Sequence, residues 1–212
     1  MKTILFFFMV IGHVLCHNPS PGCGESSTEA PDYYSIHGDG KNFIETIHLT
    51  YNDKLLGPVL REYIIQIPKG FDNNSPVPMV LDLHGWTTTS QQQTHQSGWK
   101  QLGNTEKFIV VWPSGMADSP SSMPSWNVSM TTGGPMGNTC DLDRDGWETP
   151  MECYYSCPLC TERTSCDWTT CYDDIGFIDL VINHVTDYWC IDMNQIHLSG
   201  ISNGGMYSHI CE

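Results

Sequence analysis

Gly200-Ile201-Ser202-Asn203-Gly204, with Gly205 behind it, restricts the fold of this chain more than any other segment. It follows directly on Asn194-Gln195-Ile196-His197-Leu198-Ser199, which reads as a strand, and precedes a tail through Glu212 of helical character. A G-x-S-x-G run between a strand and a helix is a sharp turn that lifts the serine Oγ above the end of a sheet. Only small neighbours tolerate the crowded backbone of such a turn. The alternative reading, an ordinary glycine-rich loop, has no use for the strand on one side and the helix on the other.

The rest of the chain supplies a sheet for that turn. Phe43–Leu49 and Arg61–Pro68 are strand-like and flank a Gly57-Pro58 turn, which predicts an antiparallel opening hairpin. Pro78–Gly85 and Lys107–Pro113 are short apolar runs of the buried-strand kind, ended by glycine and proline. Residues 91–104 carry a weak helical pattern. Asp173-Asp174 opens a stronger one, with Ile175, Ile178, Val181, Ile182, Val185 and Trp189 at helical spacing. Alternating strands and helices predict an α/β fold with a mostly parallel sheet covered on both faces. No internal repeat and no phosphate-binding glycine loop is present.

The N-terminus sets the compartment. Met1-Lys2 followed by Ile4–Ile11 and a small-residue region near Cys16-His17 has the three-part form of a signal peptide, assigned to residues 1–17 and too short to span a bilayer. No later stretch is apolar over a membrane-spanning length, so the cleaved chain is expected to be secreted with no membrane association. Export turns the cysteines towards disulfides rather than zinc. Nine of the ten remain after Cys16 is removed, and the pairing cannot be read from spacing. Residues 18–40, rich in Pro, Ser, Gly and acidic side chains, read as a tether. Residues 114–172 lack periodicity but hold six of the cysteines, which predicts a disulfide-stapled insertion. Asn73 and Asn127 head two glycosylation sequons. A formal charge of −15 argues against nucleic acid as a partner.

If Ser202 is a nucleophile, two N–H donors must face the oxyanion that its attack creates. One is the backbone N–H of Asn203; the other is sought after the third strand, at His84-Gly85-Trp86, where Trp86 N–H is the candidate. Gly85 lets the backbone come close, and His84 is read as support for that loop rather than as a base. Arg61-Glu62-Tyr63 with Pro68, Leu83-His84-Gly85, Ser125-Trp126-Asn127, Tyr172–Ile178 and Gly200–Met206 occur in order. Together they resemble the polyhydroxybutyrate depolymerase and feruloyl esterase group of secreted α/β-hydrolases, over nearly all of residues 23–212.

The resemblance implies a serine esterase with a Ser-Asp-His triad, Ser202 as nucleophile and no required cofactor. It also implies that Asp173-Asp174 opens a structural helix. The acid and the histidine should follow the serine, yet only ten residues follow Ser202. His209 sits on the helix leaving the turn, and His48, His84, His95, His184 and His197 precede the serine. Residues 41–212 are therefore expected to be a partial α/β-hydrolase domain lacking its C-terminal strands, with the triad completed beyond the chain. The expected partner is an ester substrate, a polyester or a plant cell-wall ester.

A second pattern, Asp141-x-Asp143-x-Asp145-Gly146 with Glu152, has the spacing of a calcium loop. Glu148 and Pro150 depart from that pattern, and a polar loop bounded by Cys140 and Cys153 is the alternative. Any Ca2+ there would be structural. Six tryptophans (Trp86, Trp99, Trp112, Trp126, Trp147 and Trp168) either line a substrate groove or pack in core and loops. The rival to an esterase is an inactive secreted binding protein on the same scaffold, using a calcium-stabilised cysteine-rich loop.

Overall fold

Apolar runs too short for helices become strands here, and each places its side chains alternately on two faces. The computed structural model describes residues 17–24, 43–54, 56–119, 122–128, 154–157 and 169–210. Its strands are β1 (Phe43–Asp53), β2 (Gly57–Ile67), β3 (Val77–Leu83), β4 (Ile109–Pro113) and β5 (Ile191–Gly200). Its helices are α1 (Ser90–Gln96), α2 (Trp99–Glu106), α3 (Asp174–Tyr188) and α4 (Asn203–Ile210). The strands form one sheet in the order β1-β2-β4-β3-β5. β2 is antiparallel to both β1 and β4, and β3 is parallel to both β4 and β5. Only β2 therefore runs against the common direction, in the α/β-hydrolase order.

The predicted hairpin is longer than its sequence signal. Gly57 and Pro58 pair with Asp53 and Asn52, so they open β2 instead of forming the turn. Pro58 is tolerated because β4 pairs with β2 only over Tyr63–Gln66, leaving the other side of Pro58 without a ladder to break. The weak helix over 91–104 is two short helices: α1 ends at Ser97, and Gly98, with φ of 76°, starts α2. α1 is held by a capping box between Thr89 and Gln92.

The period-2 alternation of β3 divides the core. Met79, Leu81 and Leu83 face a cluster with Tyr63, Ile65, Val111, Trp126 and the α3 side chains Phe177, Ile178, Val181 and Val185. Val80 turns the other way, to Ile64, Phe108, Val110 and Trp112, with Trp99 of α2 against them. Ile175 of the expected helical stripe is instead 49% exposed, because Asp174 and Phe177 take the inward positions of the first turn.

Asp174 is inward because Arg61 is there. Both side chains are fully buried, with Nη2 2.7 Å from Oδ1, and the guanidinium lies 3.8 Å over the Phe177 ring. Burial raises the Asp174 pKa, while Arg61 and the Asn127 N–H act to lower it. Asp173, the N-cap of α3, accepts from Gly176 N–H and from the Tyr51 hydroxyl. Both acids thus have structural roles.

Residues 17–24, most of them within the stretch read as a tether, lie against the body. Pro19 bridges Asp192 in antiparallel fashion. Ser20 N–H donates to Ile191 O at 2.9 Å and Met193 N–H to Asn18 O at 2.7 Å. A Cys23–Cys190 disulfide closes the contact, and a second disulfide, Cys157–Cys171, staples the irregular insertion. The described parts of residues 114–172 contain no helix or strand beyond β4, only the Met116–Ser125 bridge. Residues 1–16 of the expected signal peptide lie outside the described residues, and no helix among those described is long and apolar enough to cross a membrane.

Removing one member of a buried ion pair strands the other. Arg61→Met is expected to lower the unfolding free energy by about 3–5 kcal/mol, read as a fall in urea midpoint at constant slope. A loss below about 1 kcal/mol would mean that the pair does not anchor the fold.

Candidate active site

Ser202 is exposed and has a φ of 51°, a left-handed backbone that a non-glycine residue adopts at a cost of about 1–3 kcal/mol. The crowding around it explains how the strain is held. A Cβ on Gly204 would lie 2.5 Å from Leu83 O, and one on Gly200 would lie 2.6 Å from the carbonyl carbon of Gly204. Ile201 N–H donates to Leu83 O at 3.2 Å and Gly204 N–H to Ile201 O at 3.0 Å, which locks the turn onto the end of β3. Asn203 opens α4, so its N–H is among the first-turn donors that the helix leaves without an internal partner.

The His84-Gly85-Trp86 loop faces this turn. A Cβ on Gly85 would sit 3.5 Å from Ser202 Cβ, so the loop passes directly beside the serine. His84 is fully buried, and its Nε2 accepts from Gly115 N–H at 2.9 Å. The ring proton must then be on Nδ1, which donates to Gly85 O at 2.8 Å. Thr88 adds its Oγ1 and N–H to the same carbonyl, at 2.8 and 3.2 Å. In a trans peptide the N–H points opposite to the C=O. Three donors on Gly85 O therefore fix Trp86 N–H to the side away from His84 and Thr88. Thr87, with a φ of 66°, is a second strained residue in this small region. The Trp86 indole donates to the Tyr154 hydroxyl at 2.8 Å, which brings the disulfide-stapled insertion against the loop.

Sequence reasoning missed the groups that join the loop to the turn. The Asn203 side chain is fully buried and accepts from Trp126 N–H at 2.8 Å. The Trp126 indole donates to His84 O at 2.9 Å, and its ring stacks on Tyr207. The one signal available was Ser125-Trp126-Asn127, which entered only through the family resemblance.

The remaining candidates separate cleanly. His184 pairs with the Tyr63 hydroxyl at 2.7 Å, and His48 lies by Glu62 on the outer hairpin. His209 is two turns along α4 from Ser202. Among the described residues no imidazole is hydrogen-bonded to Ser202. Both sequon asparagines use their side-chain amides within the fold: Asn73 Nδ2 donates to Gly22 O and Asn127 Nδ2 to Tyr172 O. A glycan on either would replace one of the two amide hydrogens, leaving one for that bond. Trp112 and Trp126 are core residues and Trp99 packs on Phe108, whereas Trp86 follows Gly85 in the loop beside the serine. Trp147, Trp168 and the calcium-type residues Asp141, Asp143, Asp145 and Glu152 lie outside the described residues.

The comparisons with known proteins point the same way as the motifs. No family model matches the chain. A bifunctional acetylxylan esterase/xylanase, XynS20E of Neocallimastix patriciarum, is 22% identical over 149 residues, covering 70% of this chain and 15% of the relative. Poly(3-hydroxyalkanoate) depolymerase C of Paucimonas lemoignei is 47% identical over 47 residues, covering 22% of this chain and 11% of the relative. The second of these carries a name from the group that the ordered motifs resemble, and the first is named as an esterase as well. Among solved structures, an acetyl xylan esterase from Aspergillus awamori aligns at 17% identity over 76% of this chain and 43% of its own, with a TM-score of 0.46. A ferulic acid esterase from Anaeromyces mucronatus aligns at 17% identity over 82% of this chain and 54% of its own, with a TM-score of 0.37. The chain thus spans a small fraction of the two curated relatives and about half of these structures.

Burial holds the His84 pKa down at about 4, against 6.5 for an ordinary histidine. The unfolded chain takes up a proton that the native state refuses. The resulting stability is complete above pH 6.5 and is lost as pH falls towards 4. Between pH 7 and 5 the loss should be about 2 kcal/mol, and His84→Gln should remove that slope in urea titrations across the range. An unchanged slope would show that His84 does not titrate in this way.

Proposed function

We propose that this chain carries the nucleophile of a secreted serine carboxylic-ester hydrolase. The observation that carries the reading is the strained, exposed Ser202 at the β5–α4 turn, with the Gly85 backbone beside it. Ser202 Oγ attacks the ester carbonyl carbon, and the oxyanion that forms is held by the Asn203 and Trp86 N–H groups. The carbonyl oxygen then reforms its double bond as the C–O bond to the alcohol breaks. The alcohol leaves with the proton taken from Ser202, giving an acyl-enzyme that water hydrolyses. The reading requires a histidine to carry the proton and an acid to orient it. The names of the relatives suggest acyl groups on plant polysaccharide or a hydroxyalkanoate polyester as substrates.

The signal-like N-terminus and the two disulfides support secretion. The Asp141–Glu152 pattern alone supports a structural Ca2+ ion, outside the catalytic chemistry. The rival reading is an inactive secreted binding protein on the same scaffold.

A fluorophosphonate probe decides between them. The full-length protein should be labelled at Ser202, and Ser202→Ala should lower kcat on 4-nitrophenyl acetate by roughly 10⁴–10⁶-fold. A folded full-length protein that stays unlabelled would count strongly against the esterase reading.

A further inference from the structure

We propose that Trp126 is the positioning residue that sets the separation of the two oxyanion donors, Trp86 N–H and Asn203 N–H. The inference rests on the esterase reading and adds to it a residue that never touches substrate. The two donors belong to segments far apart in sequence, one at the end of β3 and one at the start of α4. Each segment is strained, at Thr87 and at Ser202. A site of this kind works only if both N–H groups converge on one oxygen position to within a few tenths of an ångström.

Trp126 has three polar groups, and each reaches one of these two segments. Its N–H donates to Asn203 Oδ1 at 2.8 Å, and its carbonyl accepts from Asn203 Nδ2 at 3.4 Å. The Asn203 carboxamide therefore pairs with the Trp126 backbone much as a neighbouring strand would. Its indole N–H donates to His84 O at 2.9 Å. The ring lies between the same two segments, 5.1 Å from the His84 ring and 5.6 Å from Tyr207 of α4, centre to centre. A tryptophan needed only for packing would satisfy its N–H on any nearby carbonyl; this one ties the donor loop to the donor helix.

The brace is fixed from behind. Ser125 N–H donates to Met116 O at 2.9 Å. Asn127 N–H donates to Asp174 Oδ2 at 2.7 Å, and Asn127 Nδ2 to Tyr172 O at 2.9 Å. Trp126 is thus held between the segment that follows β4 and the first turn of α3, with the Arg61–Asp174 pair as its footing.

The test compares kcat and KM for 4-nitrophenyl acetate in the full-length protein, with active serines counted from the acylation burst. Trp126→Phe removes the indole N–H and keeps an aromatic ring. A benzothienylalanine at position 126 removes only the N–H and covers the case in which the phenylalanine variant fails to fold. For each folded variant the expected result is a fall in kcat of roughly 10–100-fold, less than the loss of a whole donor, with KM within about twofold. A kcat within about twofold of the parent for the isostere, per active serine, would overturn the inference while leaving the esterase reading intact. Absence of Ser202-dependent turnover in the parent protein would remove the esterase reading, and the inference with it.

Discussion

Helix α4 can begin where it does only because its second residue has no side chain. At Gly204 the helix backbone presses against the carbonyl oxygens of Leu83 and His84, at distances where a methyl group has no room. That contact brings the end of β5 and the end of β3 together, and with them the serine and the His84-Gly85-Trp86 loop. The left-handed backbone at Ser202 follows from it. The chain must reverse between a strand already paired with β3 and a helix already packed against the end of β3, so the serine takes the conformation that remains. Strain at one residue is sustained by a large area of parallel pairing and core contact on either side.

Buried charge is divided between the two faces of the sheet. On the α3 face, Arg61 and Asp174 neutralise each other, and Asp174 spends its second oxygen on Asn127 N–H. On the α1 face, Asp82 lies under Gln93 and Trp112, which donate to it at 3.1–3.2 Å, and burial raises its pKa. The first arrangement is ionic and reaches the site through residues 125–127. The second has no cation and ties α1 to β3 and β4. An acidic chain can place carboxylates in its interior when each is assigned donors in this manner.

Much of this architecture was legible in the sequence, and the reasons differ by element. The short apolar runs at residues 78–85 and 107–113 identified β3 and β4 because strands buried on both faces admit few polar residues. The elbow was legible because its sterics demand glycine at fixed positions around Ser202. The long reach of the hairpin was not, since residues 50–60 alternate too weakly to show pairing. The break between α1 and α2 at Gly98 was hidden in a polar stretch where propensity says little. Trp126 was readable as a residue but not as a brace, because its meaning depends on His84 and Asn203, which lie 42 and 77 positions away. The packing of residues 18–24 was equally out of reach: Pro, Ser and Gly look like a tether until a strand edge is found to receive them.

That last contact carries a consequence for how the chain is made. Cys23 leaves the ribosome 167 residues before its partner Cys190. At typical synthesis rates the interval for 167 residues is about 10–30 s. During that time Asn18–Ser20 have no β5 edge to lie on, and Cys157 and Cys171 emerge before Cys190 does. In an oxidising compartment the Cys23 thiol would meet those cysteines first. The native pairing thus depends on a late event, the arrival of β5 beside β3, which places the N-terminal clasp among the last of the described parts to close.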